Sequence, residues 1–146
     1  MRRLLAVLAV LGVALTTFAV LPAAGLAPAS AQSCSSQRYS IYIELSRSRY
    51  PGTTSHIADA IARGEASLLH IDRPGADQNR RESLAGIPTK SGYDRDEYPP
   101  AVSREGGYGA SVRYVLSSDN RGAGSVMGAQ LSGWCEGQPF RMRLVP

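Results

Sequence analysis

The 146-residue chain contains one lysine, Lys90, two cysteines, two histidines, one tryptophan and two phenylalanines, and each scarcity excludes something. No CxxC pair and no cysteine/histidine cluster exists, which argues against a structural zinc site. His56 and His70 fall at an apolar helix start and in a strand-like run, far in sequence from the densest acidic stretch, and both read as structural residues. Aromatic side chains make up 7 % of the chain, too few to suggest a stacking surface. No internal repeat is visible. The glycine groups Gly106-Gly107-Tyr108-Gly109 and Gly122 to Gly128 lack the spacing of a dinucleotide or P-loop fingerprint.

What is present begins with a leader. Met1-Arg2-Arg3 is a charged start, Leu4 to Leu15 an unbroken apolar run, and Ala29-Ser30-Ala31 a small-x-small cleavage site. Apolarity resumes from Phe18 to Leu21, the mark of a retained anchor, but Thr16-Thr17 and Pro22-Ala23-Ala24-Gly25 interrupt the span. The expectation is a signal peptide over residues 1–31 and a secreted single domain over 32–146, long enough for one core and too short for two. Loss of Arg2 and Arg3 lowers the formal charge from +4 to +2. The mature part then carries thirteen arginines against Lys90 alone. Guanidinium binds phosphate oxygens in a planar, bidentate way that ammonium cannot, although high genomic GC content produces the same bias.

In an oxidising compartment Cys34 and Cys135 can pair, closing about 100 residues and stabilising by about 4 to 5 kcal/mol in the chain-entropy account. Between them the patterning changes often. Tyr39 to Leu45 alternates as a strand. Thr54 or Ser55 is placed to cap a helix over His56 to Arg63 that Gly64 ends. Ser67 to Ile71 reads as a strand, and Asp77 to Leu84 as a helical turn stopped by Gly86 and Pro88. Ala110 to Leu116 alternates, with Arg113 toward solvent or ligand. Ser117-Ser118-Asp119 precedes a helix over Asn120 to Leu131 with Val126, Met127 and Leu131 as its stripe. Phe140, Met142 and Leu144 alternate with Arg141 and Arg143 in a closing strand. The fold class is α+β, a small mixed or antiparallel sheet with short helices against it.

Chemistry concentrates in Gly92-Tyr93-Asp94-Arg95-Asp96-Glu97-Tyr98-Pro99-Pro100, where three carboxylates and a guanidinium occupy four consecutive positions. Adjacent like charges cost energy, so such packing points to a cation or a proton to be handled, against the plain alternative of a self-neutralising surface turn. A second oddity is a helix containing Gly122, Gly124 and Gly128, each unfavourable by about 1 kcal/mol relative to alanine. Close approach to a ligand or tight packing on a neighbour each offsets that cost. Asp119-Asn120-Arg121 then brings oxygen ligands and a phosphate donor to the same helix end.

These words resemble the NucA/NucB deoxyribonucleases, small secreted bacterial nucleases linked with DNA entry and extracellular DNA degradation. The resemblance runs through Arg49-Tyr50-Pro51, Ile71-Asp72-Arg73-Pro74-Gly75-Ala76-Asp77, Arg80-Arg81-Glu82-Ser83-Leu84, Gly86-Ile87-Pro88-Thr89-Lys90, Gly92 to Pro99, Val112-Arg113-Tyr114-Val115 and Ser118 to Gly124. The Cys34/Cys135 pair and the Trp134-Cys135-Glu136 segment depart from the family pattern. The resemblance implies a ββα-metal nuclease core, a β-hairpin and a following helix holding one divalent cation, Mg²⁺ or Mn²⁺, at the scissile phosphate. Related enzymes carry an Asp-Arg-Gly-His word whose histidine activates water; here Asp94-Arg95-Asp96-Glu97 puts Glu97 where that histidine stands.

The implied catalytic group is Asp94, Asp96 and Glu97, with Asp96 or Glu97 as general base. Asn120 and Asp119 are the candidate metal ligands; Arg95, Arg113 and Arg121 are the candidate phosphate donors. Which carboxylate is base and which is ligand stays open, because Asp94 and Asp96 share one strand face and Glu97 needs a bend to join them. Glu105 reads as a simple turn acid. With little sign of base stacking, contact with DNA through its backbone implies weak sequence preference. The expected protein is a monomer acting on DNA, without stable membrane association once the leader is gone. A secreted polyanion-binding module without catalysis is the alternative from another class, and a metal-free ribonuclease is disfavoured by the distance in sequence of both histidines from the acidic word.

Overall fold

The computed structural model describes residues 33–146, so the leader expected over residues 1–31 lies outside the described residues. In chain order the elements are β1 (Ile41–Ser46), α1 (Pro51–Ala62), β2 (Leu69–His70), α2 (Ala76–Ser83), β3 (Tyr93–Tyr98), β4 (Ser111–Leu116), α3 (Ser117–Leu131) and β5 (Pro139–Val145). The strands form two sheets where patterning suggests one. β1 pairs in parallel with β5, which pairs antiparallel with β2, while β3 and β4 make a separate antiparallel ribbon. That ribbon runs straight into α3, giving a β-β-α unit, and the fold class read from the sequence holds.

Apolar positions at strand and helix spacing meet in one core. Ile43 and Leu45 of β1, Leu69 of β2 and Phe140 of β5 are all essentially inaccessible and pack with Ile57 and Ala60 of α1, Tyr98 of β3, and Ala123 and Leu131 of α3. Val126 and Met127 lie partly buried against the same cluster, as the helical stripe predicts. Cys34 and Cys135 form the expected disulfide, with Cα atoms 5.0 Å apart.

Two helix starts differ from the reading of the sequence. α1 begins at Pro51 instead of after Thr54, because proline presets the helical φ at a first-turn position whose N–H has no partner to lose. No side chain of its own caps it. The Asp119 carboxylate does so from α3, accepting the N–H groups of Gly52 at 2.7 Å and Thr53 at 3.1 Å. α3 in turn begins at Ser117, so Asn120 sits at the end of its first turn and Ser117-Ser118-Asp119 is not its cap. At the other end of α1 the expected stop holds. Gly64, at φ +105°, and Glu65 return their N–H groups to Ile61 and Ala60, a Schellman arrangement.

The helix glycines divide by position. A Cβ on Gly122 would lie 2.6 Å from Cε1 of the buried Tyr50, so there the helix is glycine because it packs tightly; Gly124 and Gly128 face open space.

Candidate functional site

β3 pairs with β4 along one edge only, and a cleft of about 370 Å³ lies against its residues, between α2 and α3. Asp94, Arg95, Asp96, Glu97 and Asn120 all line it. β3 runs through Glu97 without a bend, keeping ladder register with Val112. The expected bend is unnecessary because an unpartnered strand edge is reachable from both faces of the strand. Asp119, Arg113 and Arg121 are not among the residues that line the cleft.

The acids differ in what they touch. Asp94 accepts Arg121 Nε at 2.8 Å, Arg121 Nη2 at 3.0 Å and the Ser117 hydroxyl at 2.9 Å. The Arg121 hydrogen bonds, joined by that from Ser117, hold its carboxyl below the usual range. Asp96 is buried with Oδ2 2.7 Å from His56 Nδ1, and His56, wholly inaccessible, reaches Ser111 Oγ with Nε2 at 3.0 Å. Burial raises the Asp96 carboxyl while the His56 contact opposes the rise. This corrects the reading that neither histidine lies near the acidic word: α1 brings His56 across forty residues of sequence to touch it. His70 and Glu105 pair at 2.7 Å elsewhere.

Glu97 stands apart. Its side chain is 12 % exposed and its nearest cation is Arg80, whose Nε lies 3.5 Å from Oε1. Desolvation raises its carboxyl above the ordinary range, with Arg80 opposing and Asp96 adding to the rise. The Asn120 amide makes no hydrogen bond to the protein among the described residues, and Asn120 and Glu97 line the same two adjoining cavities. One carboxylate and one amide oxygen are therefore left without a strong internal partner in a single cleft.

The remaining candidates have structural partners. Asp119 caps α1, as described, and both its oxygens are occupied by backbone N–H groups. Arg95 Nη1 donates to the Ile87 carbonyl at 2.6 Å, fixing the turn after α2. Arg113 donates to Asp59 at 2.8 Å on α1. Arg121 is 76 % exposed and tied to Asp94. Arg80, Thr89 and Tyr93 line the cleft without having been singled out from sequence; Arg80 belonged to a conspicuous Arg80-Arg81 pair, whereas nothing local distinguishes Tyr93.

Among the described residues no three histidine, cysteine, aspartate or glutamate side chains cluster as a metal cage. The amide oxygen of Asn120 suits instead a hard cation that keeps most of its coordination for water and phosphate, which is how Mg²⁺ commonly binds.

The family model described as Deoxyribonuclease NucA/NucB matches residues 54–142, which include every cleft residue named above. The chain is 52 % identical over 89 residues to a Bacillus subtilis (strain 168) protein named DNA-entry nuclease. That match covers 61 % of this chain and 60 % of the relative, so the chain spans less than two thirds of that protein's length.

Proposed function

Because the chain belongs to the NucA/NucB deoxyribonuclease family, we propose that it is a secreted, divalent-metal-dependent endonuclease that hydrolyses DNA phosphodiesters with little sequence preference. The observation that carries this reading is the pairing of Glu97 and Asn120 in one cleft while Asp94, Asp96 and Asp119 are each held by a protein donor.

Glu97 acts as the general base. Burial makes its carboxylate a stronger base than an exposed glutamate, suited to take a proton from the attacking water. Asp96, fixed by His56, positions the strand beside it and adds negative charge that increases that basicity. Asn120 would hold the cation, Mg²⁺ or Mn²⁺. Such an ion supplies Lewis-acid stabilisation of charge on the phosphoryl and leaving oxygens. Arg80 is the cleft-lining guanidinium with the least internal commitment, and it is placed to receive a phosphate oxygen.

Supercoiled plasmid incubated with the disulfide-bonded protein and Mg²⁺ or Mn²⁺ is expected to be nicked and degraded, and EDTA to stop it. Glu97→Ala is expected to remove turnover while leaving the melting transition in place. Salt-sensitive binding without cleavage under any divalent ion would replace this reading by a DNA-capture module.

A further inference from the structure

The turn that enters β3 builds a feature the cleavage chemistry does not use. Lys90, Ser91, Gly92 and Tyr93 form a tight turn closed by the Tyr93 N–H on the Lys90 carbonyl at 3.1 Å, with Gly92 at φ +79°, the conformation a type II turn asks of its third residue. That turn folds Lys90 back so that its ammonium stands 4.1 Å from the centre of the Tyr93 ring and 5.8 Å from that of Tyr114. Tyr114 is fixed from behind, its hydroxyl donating to the Pro88 carbonyl at 2.6 Å. The ladder pairs Tyr93 with Leu116 and Arg95 with Tyr114, which puts both tyrosines and Leu116 on one face of the ribbon. Tyr93 keeps 36 % of its surface exposed, Tyr114 37 % and Leu116 55 %. In a chain with so few aromatics, two on one exposed ribbon face with a lysine between them is a built surface.

Its chemistry matches one ligand class. An exposed ring with an ammonium against it offers a stacking face for a nucleobase and a counter-charge for that base's own phosphate. A duplex keeps its bases stacked on each other and presents mainly phosphate and groove edges, so this surface takes an unpaired strand. Tyr93 also lines the catalytic cleft beside Asp94 and Glu97, making the surface continuous with it. Resting on the nuclease reading above, we infer that Lys90, Tyr93 and Tyr114 form a base-stacking subsite that receives a single DNA strand next to the phosphate being cleaved.

The test measures binding, not turnover. A short single-stranded oligodeoxynucleotide carrying 2-aminopurine is titrated with the disulfide-bonded protein in EDTA, in parallel with a labelled strand of the same length in which every nucleoside is abasic. The wild type is expected to quench the 2-aminopurine and to bind the base-bearing strand at least about tenfold more tightly than the abasic one. Tyr93→Ala is expected to lose that advantage, and Tyr93→Phe, which keeps the ring, to retain it. Equal binding of base-bearing and abasic strands by the wild type overturns the subsite, and so does a Tyr93→Ala variant that binds as tightly as wild type. Because the abasic comparison uses the unaltered protein, a variant that fails to fold does not protect the inference. Plasmid cleavage without base-dependent binding removes the subsite alone; a wild type that neither cleaves nor binds removes the nuclease reading with it.

Discussion

Asp96 and Glu97 are chain neighbours with opposite fates, and the difference lies in what faces them. Asp96 meets a buried histidine, while Glu97 meets a cleft and one arginine at 3.5 Å. A carboxyl raised by burial supports folding fully only below its unfolded value of 4.5, and that support is lost as pH rises through the folded value. Above that folded value the wild type carries an ionised, poorly partnered Glu97, a cost that Glu97→Gln removes. The variant is expected to melt higher than wild type in EDTA while losing about 10²- to 10⁴-fold in cleavage, the span general-base catalysis supplies. A lowered melt with undiminished cleavage would show Glu97 to be structural. Arg80 opposes the rise, so Arg80→Ala moves the Glu97 carboxyl further upward, and the acidic limb of the kcat/KM profile is expected to shift to higher pH. The acidic word itself was plain in the sequence. Which of its members is free was not, since His56, Ser117 and Arg121 reach it from other elements and no local spacing encodes those contacts.

At the level of elements, strand positions and helix starts were legible to different degrees. Strand alternation located β4 and β5 to within a residue, and Gly64 marked the end of α1 by its own chemistry. The start of α1 was misplaced because its capping group, Asp119, belongs to α3, a contact visible only once the two helices are packed, and α3 begins at Ser117 without a side-chain cap of its own. The glycines of α3 sort the same way. Gly122 touches Tyr50 and Gly128 touches nothing, so identical substitutions should have opposite signs. Gly128→Ala is expected to stabilise by up to about 1 kcal/mol, the helix-propensity gain, with cleavage unchanged. Gly122→Ala is expected to destabilise by about 1 to 3 kcal/mol as Tyr50 is displaced. Urea midpoints compare the pair directly, and a matching sign for both would contradict the packing described.

For the molecule as a whole, patterning conveyed the fold class and the disulfide but not the division into two sheets. The parallel β1–β5 pairing joins strands from opposite ends of the described chain, and β3 leaves one edge without a strand partner; neither arrangement has a local signature. Cys34 and Cys135 are separated by 101 positions, and replacing both with serine is expected to cost about 4 to 5 kcal/mol in the chain-entropy account, read as a lowered urea midpoint. An unchanged midpoint would mean that ordinary packing already holds these ends together. The same bond has a second effect. Every residue assigned here to the cleft lies inside the ring it closes, and so does the loop carrying Tyr108, which is 93 % exposed. A protease that cuts this loop separates β3 from β4 in sequence yet leaves one covalent molecule, with Glu97 and Asn120 on fragments that cannot diffuse apart. On the secreted-nuclease reading proposed above, that ring converts a severing cut into a nick.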